Sequence, residues 1–293
     1  MIKSIQAKTI LTKYKEADPW FHIKYSMNLY RGCQHQCIYC DSRSECYHIE
    51  NFQDILVKEN AIELLRKELS KIKEKNTIGT GSMNDPYMPV EKKYGMTRKA
   101  LQVIADYKFP VHVITKGTLV LRDIDLLQEI GKVFSTVSIT ITTIDDELSK
   151  KLEPGAPASS ERFQAIETLS KKGITVGITL MPVIPFITDD PENISALVQK
   201  ASESGAKYIL PAFGMTLRDR QREYFFQKLI KYFPDEFEKY KKTYHGEYSF
   251  PAPEHRKLAV IFHSMCENFQ IAGNAPEYKP ESVQMNLFEN SLD

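Results

Sequence analysis

The sequence alternates short apolar runs with stretches of helical periodicity, and this alternation restricts the folds that are open to the chain. Six runs are candidate strands: residues 26–30, 76–81, 111–115, 133–142, 174–180 and 207–211. Continuous apolar runs of this kind are typical of parallel strands whose two faces are both covered by helices. The pattern therefore predicts an α/β fold with six β–α alternations, either an incomplete β/α barrel or a doubly wound sheet.

Helix signals fill the segments between the predicted strands. Apolar residues at helical spacing predict helices over residues 54–74, 97–107, 123–130, 159–172 and 191–204. Asp123 is a predicted N-cap, Pro191 suits a first helical turn, and Gly131, Gly173 and Gly205 mark helix ends. These helix start and end signals agree with the spacing of the apolar runs.

The chain changes character from about residue 218 onward, where it becomes aromatic and charged. Helical periodicity is found over residues 221–232, 235–240 and 254–269. We expect these helices to form an extension that packs on the α/β core, and we expect the residues beyond 280 to form an exposed tail.

The charge balance excludes one class of function. Lys and Arg number 39 against 38 Asp and Glu, so the net charge is +1 and the chain is no strongly basic nucleic-acid coat, although a local basic groove stays possible. The longest apolar stretch, residues 176–187, is too short for a membrane span and contains Pro182 and Pro185. The first residues carry no secretory signal pattern, so we expect a cytoplasmic protein without membrane contact.

Three of the five cysteines form a Cys-x3-Cys-x2-Cys run, at Cys33, Cys37 and Cys40. A disulfide framework spreads its cysteines, whereas a metal site clusters them. The residues alone leave three chemistries open. They are a zinc site completed by Cys46, His35 or His48, a redox pair of Cys37 and Cys40, and a [4Fe–4S] cluster with three cysteine ligands. The open iron of such a cluster could chelate the amino and carboxylate groups of S-adenosylmethionine.

The cysteine run and its context resemble a known family. A Cys-x3-Cys-x2-Cys run with Tyr39 before its last cysteine, placed after the first strand of a β/α alternation, resembles the radical S-adenosylmethionine superfamily over roughly residues 20–212. Asp41-Ser42-Arg43 and the segments 85–87 and 114–116 are similar to its spore photoproduct lyase-like, DNA repair photolyase-type group.

The resemblance implies a fold, a chemistry and partners. The fold would be a partial (β/α)6 barrel of parallel strands, with residues 1–212 as the core and its N-terminal arm, 213–280 as the helical C-terminal extension and 281–293 as the tail. Reduction of a [4Fe–4S] cluster by a protein such as flavodoxin or ferredoxin would cleave S-adenosylmethionine to a 5′-deoxyadenosyl radical. This radical would abstract hydrogen from a substrate, with a nucleic acid as the expected class. The same chemistry on RNA or on a peptide is the alternative.

The resemblance also implies roles for individual residues, none of them a catalytic assignment. The cluster ligands would be Cys33, Cys37 and Cys40, and Tyr39 would lie by the adenine of S-adenosylmethionine. Acceptor oxygens for the methionine amino group would come from Ser82, Asn84 and Asp85, and Lys116 would pair with the methionine carboxylate. Ser138, Thr140 and Thr142 alternate along one strand and would point hydroxyl groups at the ribose.

One departure from the family pattern concerns hydrogen return. Spore photoproduct lyase carries a cysteine near the end of the second strand that returns a hydrogen atom to the product radical. The matching segment here is Gly81-Ser82-Met83-Asn84, and a hydroxyl O–H bond is too strong to replace a thiol. A related radical reaction is therefore a safer expectation than spore photoproduct lyase activity itself.

Two segments bear on a nucleic-acid partner. Six cations lie among the first 31 residues, interleaved with aromatic side chains: Lys3, Lys8, Lys13, Lys15, Lys24 and Arg31, with Trp20, Phe21 and Tyr25. They would track a phosphate backbone and stack a base, or else form an arm that covers the barrel. Residues 218–222 carry three arginines, which would contact phosphates or pair internally with Asp219 and Glu223.

The predicted tail carries a separate motif. Gln284, Leu287 and Phe288 are spaced as in the short peptide by which bacterial proteins dock on the replication sliding clamp. A tail that folds back on its own barrel is the other possibility. An alternative of a different class is a zinc-binding interaction protein that docks on the clamp through this tail.

Overall fold

The computed structural model describes residues 1–280. The strands of this part, in chain order, are β1 Ile2–Ile5, β2 Leu11–Lys13, β3 Tyr25–Met27, β4 Tyr30–Arg31, β5 Ile55–Lys58, β6 Ile78–Thr80, β7 Val111–Thr115, β8 Ser135–Thr140, β9 Thr175–Leu180, β10 Ile209–Pro211, β11 Gly214–Thr216 and β12 Ser249–Pro251. The helices are α1 Ala61–Leu69, α2 Glu91–Tyr94, α3 Met96–Asp106, α4 Ile124–Gly131, α5 Asp146–Leu152, α6 Ser159–Lys171, α7 Pro191–Glu203, α8 Asp219–Tyr232, α9 Pro234–Thr243 and α10 His255–Phe269.

The main sheet confirms the predicted α/β fold. Its strand order is β10-β9-β8-β7-β6-β3-β2, and every neighbouring pair from β3 to β10 is parallel. Strand β2 pairs antiparallel with β3 at the edge. These six parallel strands correspond to the six apolar runs. Both faces of the strands are buried, so buried residues do not alternate with solvent-facing ones along them.

Side chains from separated strands meet on the inner face of this sheet, which shows that it curves as a partial barrel. The Tyr208 hydroxyl, at the start of β10, lies 2.7 Å from Ser138 Oγ and 2.9 Å from Thr136 Oγ1 on β8. Strand β9 lies between them, and a Cβ atom at its Gly177 would come within 2.5 Å of the Tyr208 ring. The glycine lets the ring cross β9, so the interior is filled by side chains.

Two parts of the prediction for the N-terminal half were wrong. The segment 54–74 is not one helix, since residues 55–58 form β5, which pairs parallel with β1, and α1 ends at Leu69. The buried side chains of Ile55 and Val57 alternate with less buried ones, which is strand periodicity that the following helix hides. The segment 26–30 divides between β3 in the main sheet and β4 in a small sheet with β5.

Residues 214–269 contain the hairpin of β11 and β12 and the helices α8, α9 and α10. Helix α10 packs on α7 of the barrel. Helix α8 and the hairpin enclose an apolar cluster that includes Phe225, Leu229, Tyr240 and Phe250, and Ile38 of the cysteine segment packs into it. The C-terminal elements and the cysteine segment therefore share one hydrophobic core.

No helix within residues 1–280 combines the length and the apolar character that a membrane crossing requires.

Candidate active site

The cysteine loop, residues 32–40, leaves β4 and ends at a short 3-10 helix, Asp41–Arg43. Gly32 begins the loop at φ +78°, and a Cβ atom there would lie 2.3 Å from the carbonyl oxygen of Asp54. Only glycine fits this close approach. The loop is then tied to the helical layer, because the backbone N–H of Ile38 donates to the Leu152 carbonyl at 2.9 Å.

The three thiols of this loop face one small cavity of about 110 Å³, beyond the carboxyl ends of the parallel strands. Burial raises the pKa of the Cys33 thiol to about 12. Burial also raises the pKa of Cys37, although the Lys116 ammonium acts in the opposite direction. The thiolate is the form that binds a metal, so these thiols would have to release their protons when they bind one.

A structural zinc site needs four protein ligands around one ion. Zinc–sulfur bonds of about 2.3 Å bring tetrahedral thiolates to within about 4 Å of one another. Among residues 1–280, no three His, Cys, Asp or Glu side chains converge closely enough to hold one metal ion, and Cys46 is exposed. Three thiols that line one cavity are the ligand set of a [4Fe–4S] cluster held by three cysteines.

Asp85 lies at the cavity but its carboxylate is already occupied by the protein. It accepts hydrogen bonds from the Thr115 hydroxyl and the Lys116 backbone N–H, both at 2.6 Å, and from the Tyr87 N–H at 2.8 Å. Burial alone would raise the pKa of Asp85, but His35, the Lys116 N–H and the Thr115 hydroxyl lower it to about 2. Asp85 therefore fixes the end of β7 and has little capacity left for a ligand.

Ser82 and Asn84 follow β6 and lie beside the thiols. Ser82 Oγ is 3.0 Å from Ser26 Oγ. The Asn84 side-chain amide donates to the Tyr30 carbonyl at 2.7 Å, which fixes its orientation. No donor of the described residues bonds the Asn84 side-chain oxygen. This oxygen is the acceptor of the predicted set that is most available to an ammonium group.

Lys116 belongs to a buried charge network that the sequence analysis missed. Its ammonium lies 3.9 Å from a Glu153 carboxylate oxygen and 5.6 Å from the centre of the Tyr39 ring. Glu153 also accepts a hydrogen bond from the Tyr39 hydroxyl and pairs with Arg162 at 2.5 Å. Glu153 and Arg162 are both 0% exposed. Burial would raise the pKa of Glu153, but Arg162 and Lys116 lower it, so the carboxylate stays charged.

The predicted hydroxyl positions on β8 lie at different depths. Thr140 lines the cysteine cavity, with its hydroxyl 2.7 Å from that of Thr179 on the adjacent strand. Ser138 does not line it, because its hydroxyl lies deeper in the barrel, 2.7 Å from the His112 imidazole. Thr142 lies beyond the strand and is buried. Alternation correctly put Ser138 and Thr140 on one face, but it does not report depth along the barrel axis.

A larger cavity of about 460 Å³ adjoins the cysteine cavity, with Cys40, Ser82 and Thr140 lining both. Its other walls come from the N-terminal arm, from the segment after β9 and from β11. They include Tyr14, Asp18, Phe21, Met181, Pro182 and Met215, as well as Tyr39. A molecule in this larger cavity therefore lies next to whatever the three thiols hold.

Residues at the start of α8 contact the cysteine loop and the 3-10 helix of the same chain. The Arg218 guanidinium contacts Asp41 at 2.7 Å, and the Gln221 amide donates to the Tyr39 carbonyl at 3.1 Å. Arg220 donates to the Arg43 carbonyl at 2.8 Å. These contacts hold the cysteine loop and the 3-10 helix after it. The arginines are engaged within the protein, but the predicted partners Asp219 and Glu223 were wrong, since Arg218 pairs with Asp41 and Arg220 binds backbone carbonyls.

Comparison with known proteins identifies the family. The sequence pattern of the Radical SAM superfamily matches residues 27–198, which is more than half of the chain. The chain belongs to this superfamily and is an enzyme of the radical S-adenosylmethionine class. Its cofactors are a [4Fe–4S] cluster and S-adenosylmethionine.

Several individual proteins are similar to the chain. An uncharacterized protein of Mycobacterium tuberculosis is 28% identical over 279 residues, covering 90% of this chain and 82% of the relative. A radical SAM Nα-GlyT isomerase of Pseudomonas phage M6 is 25% identical over 181 residues, covering 62% and 37%. Spore photoproduct lyase complexed with dinucleoside spore photoproduct has a similar fold, with a TM-score of 0.68 at 16% identity, covering 92% of this chain and 79% of the lyase.

Proposed function

We propose that this enzyme abstracts hydrogen from a nucleobase of a nucleic acid, in the manner of the DNA repair photolyase-type group. The observation that carries the proposal is the larger cavity next to the three thiols. Its volume of about 460 Å³ is in the range of small-molecule sites, and its walls include the aromatic rings of Tyr14 and Phe21. A planar base can stack on such rings.

The charges of the larger cavity favour a neutral ring system over a phosphate. None of its lining residues is a lysine or an arginine. Its two carboxylates are both engaged, since Asp18 accepts the backbone N–H groups of Trp20 and Phe21 at 2.9 Å and Asp41 pairs with Arg218. A base would enter and its phosphates would stay outside, which requires that the base leave the helical stack.

The N-terminal arm offers contacts for those phosphates outside the cavity. Lys13 and Lys15 are exposed and flank Tyr14, which lines the cavity. Trp20 is 46% exposed although its neighbours Asp18 and Phe21 turn toward the cavity. Exposed cations beside an exposed indole suit a single-stranded or unstacked nucleic acid. The likeness of fold to spore photoproduct lyase over 92% of this chain supports the same substrate class.

The residues around the thiols then have the following roles. We assign Cys33, Cys37 and Cys40 as the cluster ligands, which leaves one iron open for S-adenosylmethionine. Lys116 is the cation for the methionine carboxylate, and the Asn84 oxygen accepts from the amino group, assisted by Ser82. Reductive cleavage of the bound cofactor supplies the 5′-deoxyadenosyl radical.

Further residues orient the cofactor and the substrate. Tyr39, fixed by Glu153 and Gln221, would form the wall toward the adenine, and the Thr140 hydroxyl would bind the ribose. Asp85 acts through the end of β7 and positions Lys116. Because the walls of the larger cavity are largely apolar, a bound substrate excludes water from the site of hydrogen abstraction.

The test uses protein reconstituted anaerobically with iron and sulfide, reduced with dithionite and given S-adenosylmethionine. UV-irradiated DNA, unirradiated DNA of the same sequence and irradiated RNA are added in separate reactions. Chromatography measures 5′-deoxyadenosine, and mass spectrometry measures loss of the photoproduct. We expect more 5′-deoxyadenosine when irradiated DNA is added, and we expect the photoproduct to be lost from that DNA. We expect Cys37→Ala to abolish both effects.

A matched control uses the same substitution elsewhere. Cys266 is buried in α10, away from both cavities, so Cys266→Ala is expected to keep the activity. If 5′-deoxyadenosine forms but no nucleic acid increases it, the substrate class is wrong and a peptide becomes the candidate. If irradiated RNA is the better substrate, the enzyme acts on RNA rather than on DNA.

The proposed clamp peptide, Gln284 with Leu287 and Phe288, lies outside the described residues and stays a prediction from the sequence.

A further inference from the structure

A third cavity, here called the outer cavity, has a volume of about 530 Å³. It adjoins the cysteine loop and shares no lining residue with the larger cavity. His35 lines both the outer cavity and the small cavity of the thiols. The other walls come from the turns after β6, β7 and α5, and they include Tyr87, Pro89, Lys92, Leu119, Arg122 and residues 154–157. The outer cavity therefore reaches the cysteine loop by a route separate from that of the substrate.

The wall between the outer cavity and the cysteine loop is thin. The backbone N–H of Gly155 donates to the His35 carbonyl at 2.9 Å. A Cβ atom at Gly155 would lie 2.1 Å from the Gln34 carbonyl oxygen and 3.0 Å from the His35 Cα, so the turn can approach this closely only with glycine. His35 itself is 2% exposed and stands between Cys33 and Cys37 in the chain.

The charged side chains that line the outer cavity are the cations Lys92 and Arg122. None of its lining residues is Asp or Glu. Arg122 is balanced by the buried Glu91 and Asp123, each 2.7 Å away. Lys92 is exposed, and none of the carboxylates of residues 1–280 pairs with it or with its exposed neighbour Lys93. Proline and leucine side chains are among the remaining walls, so the face combines apolar surface with Lys92, and Lys93 is its neighbour in the chain.

We propose that the face around the outer cavity is the docking surface for a small acidic electron-carrier protein. Its cations complement such a partner, and its apolar residues can form the core of an interface. The larger cavity has to hold the cofactor and the substrate while the electron arrives, so the carrier needs another way to the thiols. One electron passes from the reduced carrier to the cluster, and no bond or proton has to move. The proposal rests on the reduction that this enzyme class requires and not on the identity of the substrate.

The experiment reverses the charge of the exposed lysines and uses flavodoxin as the probe. The test protein is the reconstituted enzyme carrying Lys92→Glu and Lys93→Glu. The matched control carries Lys172→Glu and Lys207→Glu, two exposed lysines that precede β9 and β10 at the opposite end of the sheet. Calorimetry measures binding of oxidised flavodoxin at low and high salt. Rates of 5′-deoxyadenosine formation are measured with reduced flavodoxin and, separately, with dithionite.

We expect flavodoxin to bind the test protein about tenfold more weakly at low salt, with the difference shrinking at high salt. The flavodoxin-driven rate at limiting flavodoxin should fall by a similar factor. The dithionite-driven rate and the control protein should be unchanged, because a small reductant needs no docking surface. An equal loss with dithionite would overturn the proposal, since the lysines would then serve the cofactor site. Unchanged flavodoxin binding, or an equal loss in the control, would also overturn it.

Discussion

Replacing Glu153 by glutamine tests the buried charge network directly. The substitution keeps the size of the side chain and an acceptor for the Tyr39 hydroxyl, but it removes the negative charge. Arg162, which is 0% exposed and 2.5 Å from Glu153, then loses the carboxylate that balances it. Lys116, 16% exposed and 3.9 Å away, loses part of the same compensation. The perturbation is therefore an uncompensated buried charge at the edge of the active site.

The expected magnitude follows from the burial of this pair. Removing one partner of a buried ion pair costs roughly 3–5 kcal/mol of the free energy of unfolding. We expect the lower end, about 3 kcal/mol, because glutamine retains the hydrogen bond to Tyr39. At 2–4 °C for each kcal/mol, the melting temperature should fall by about 6–12 °C.

The assay is urea unfolding of the apo-protein, followed by circular dichroism, with Glu147→Gln as the control. Glu147 lies on α5 in the same segment, but it is 78% exposed and pairs with Lys150 at the surface, so its loss should not move the midpoint. Combining Glu153→Gln with Arg162→Met should cost at least 1 kcal/mol less than the sum of the two single substitutions. A loss below 1 kcal/mol for Glu153→Gln, or strict additivity in the pair, would refute the network as described.

Three further outcomes are expected. Burial lowers the pKa of His112 to about 4. Between pH 6.5 and 4 the unfolded chain therefore binds a proton that the folded chain does not. The free energy of unfolding should fall by about 3 kcal/mol as the pH falls through this window. In urea titrations of apo-protein, His112→Gln should remove most of this slope. Gly81→Ala should lower the free energy of unfolding by roughly 2–4 kcal/mol in the same assay, because φ is +89° and a Cβ atom would meet a carbonyl oxygen at 2.1 Å. Gly95→Ala should lower it clearly less, because no atom lies within 4 Å of the added Cβ. Arg218→Ala should cost about 1 kcal/mol by urea unfolding because the pair with Asp41 is partly exposed, and Arg218→Lys should not restore it since lysine lacks the planar fork.

The sequence contained enough information for the barrel strands and most helices. Strand β7 was predicted with its observed bounds and α6 to within one residue, because both elements are bounded by clear signals. Strand β5 was missed because its four residues lie just before helix α1. The strand period of two and the helix period of 3.6 overlap there, so the segment resembles one helix. Such short strands depend on a partner, here β1, that lies far away in sequence.

The site was predictable only where residue type and spacing determine chemistry together. The three cysteines satisfy that condition, and the structure brings them to one cavity. Glu153 gave no such signal, because a glutamate before Pro154 and Gly155 is typical of a surface turn. Its partner Arg162 lies in the first turn of α6, where an arginine is ordinarily solvated. Burial of this pair is a consequence of tertiary packing that neither local pattern contains.

The walls of the two connected cavities come from different parts of the chain. The cysteine cavity is lined entirely by residues within the segment 27–198 that matches the superfamily, from Cys33 to Thr140. The larger cavity is completed from outside that segment, by Tyr14 and Phe21 of the N-terminal arm and by Met215 of β11. The segment that matches the family therefore forms all of the cysteine cavity, whereas segments outside it complete the larger cavity. Of the five cysteines, only Cys40 lines the larger cavity, so this chain places no additional thiol there to return a hydrogen atom. Substrate choice and the fate of the product radical are thus the two properties in which this enzyme is expected to differ from relatives that share its barrel.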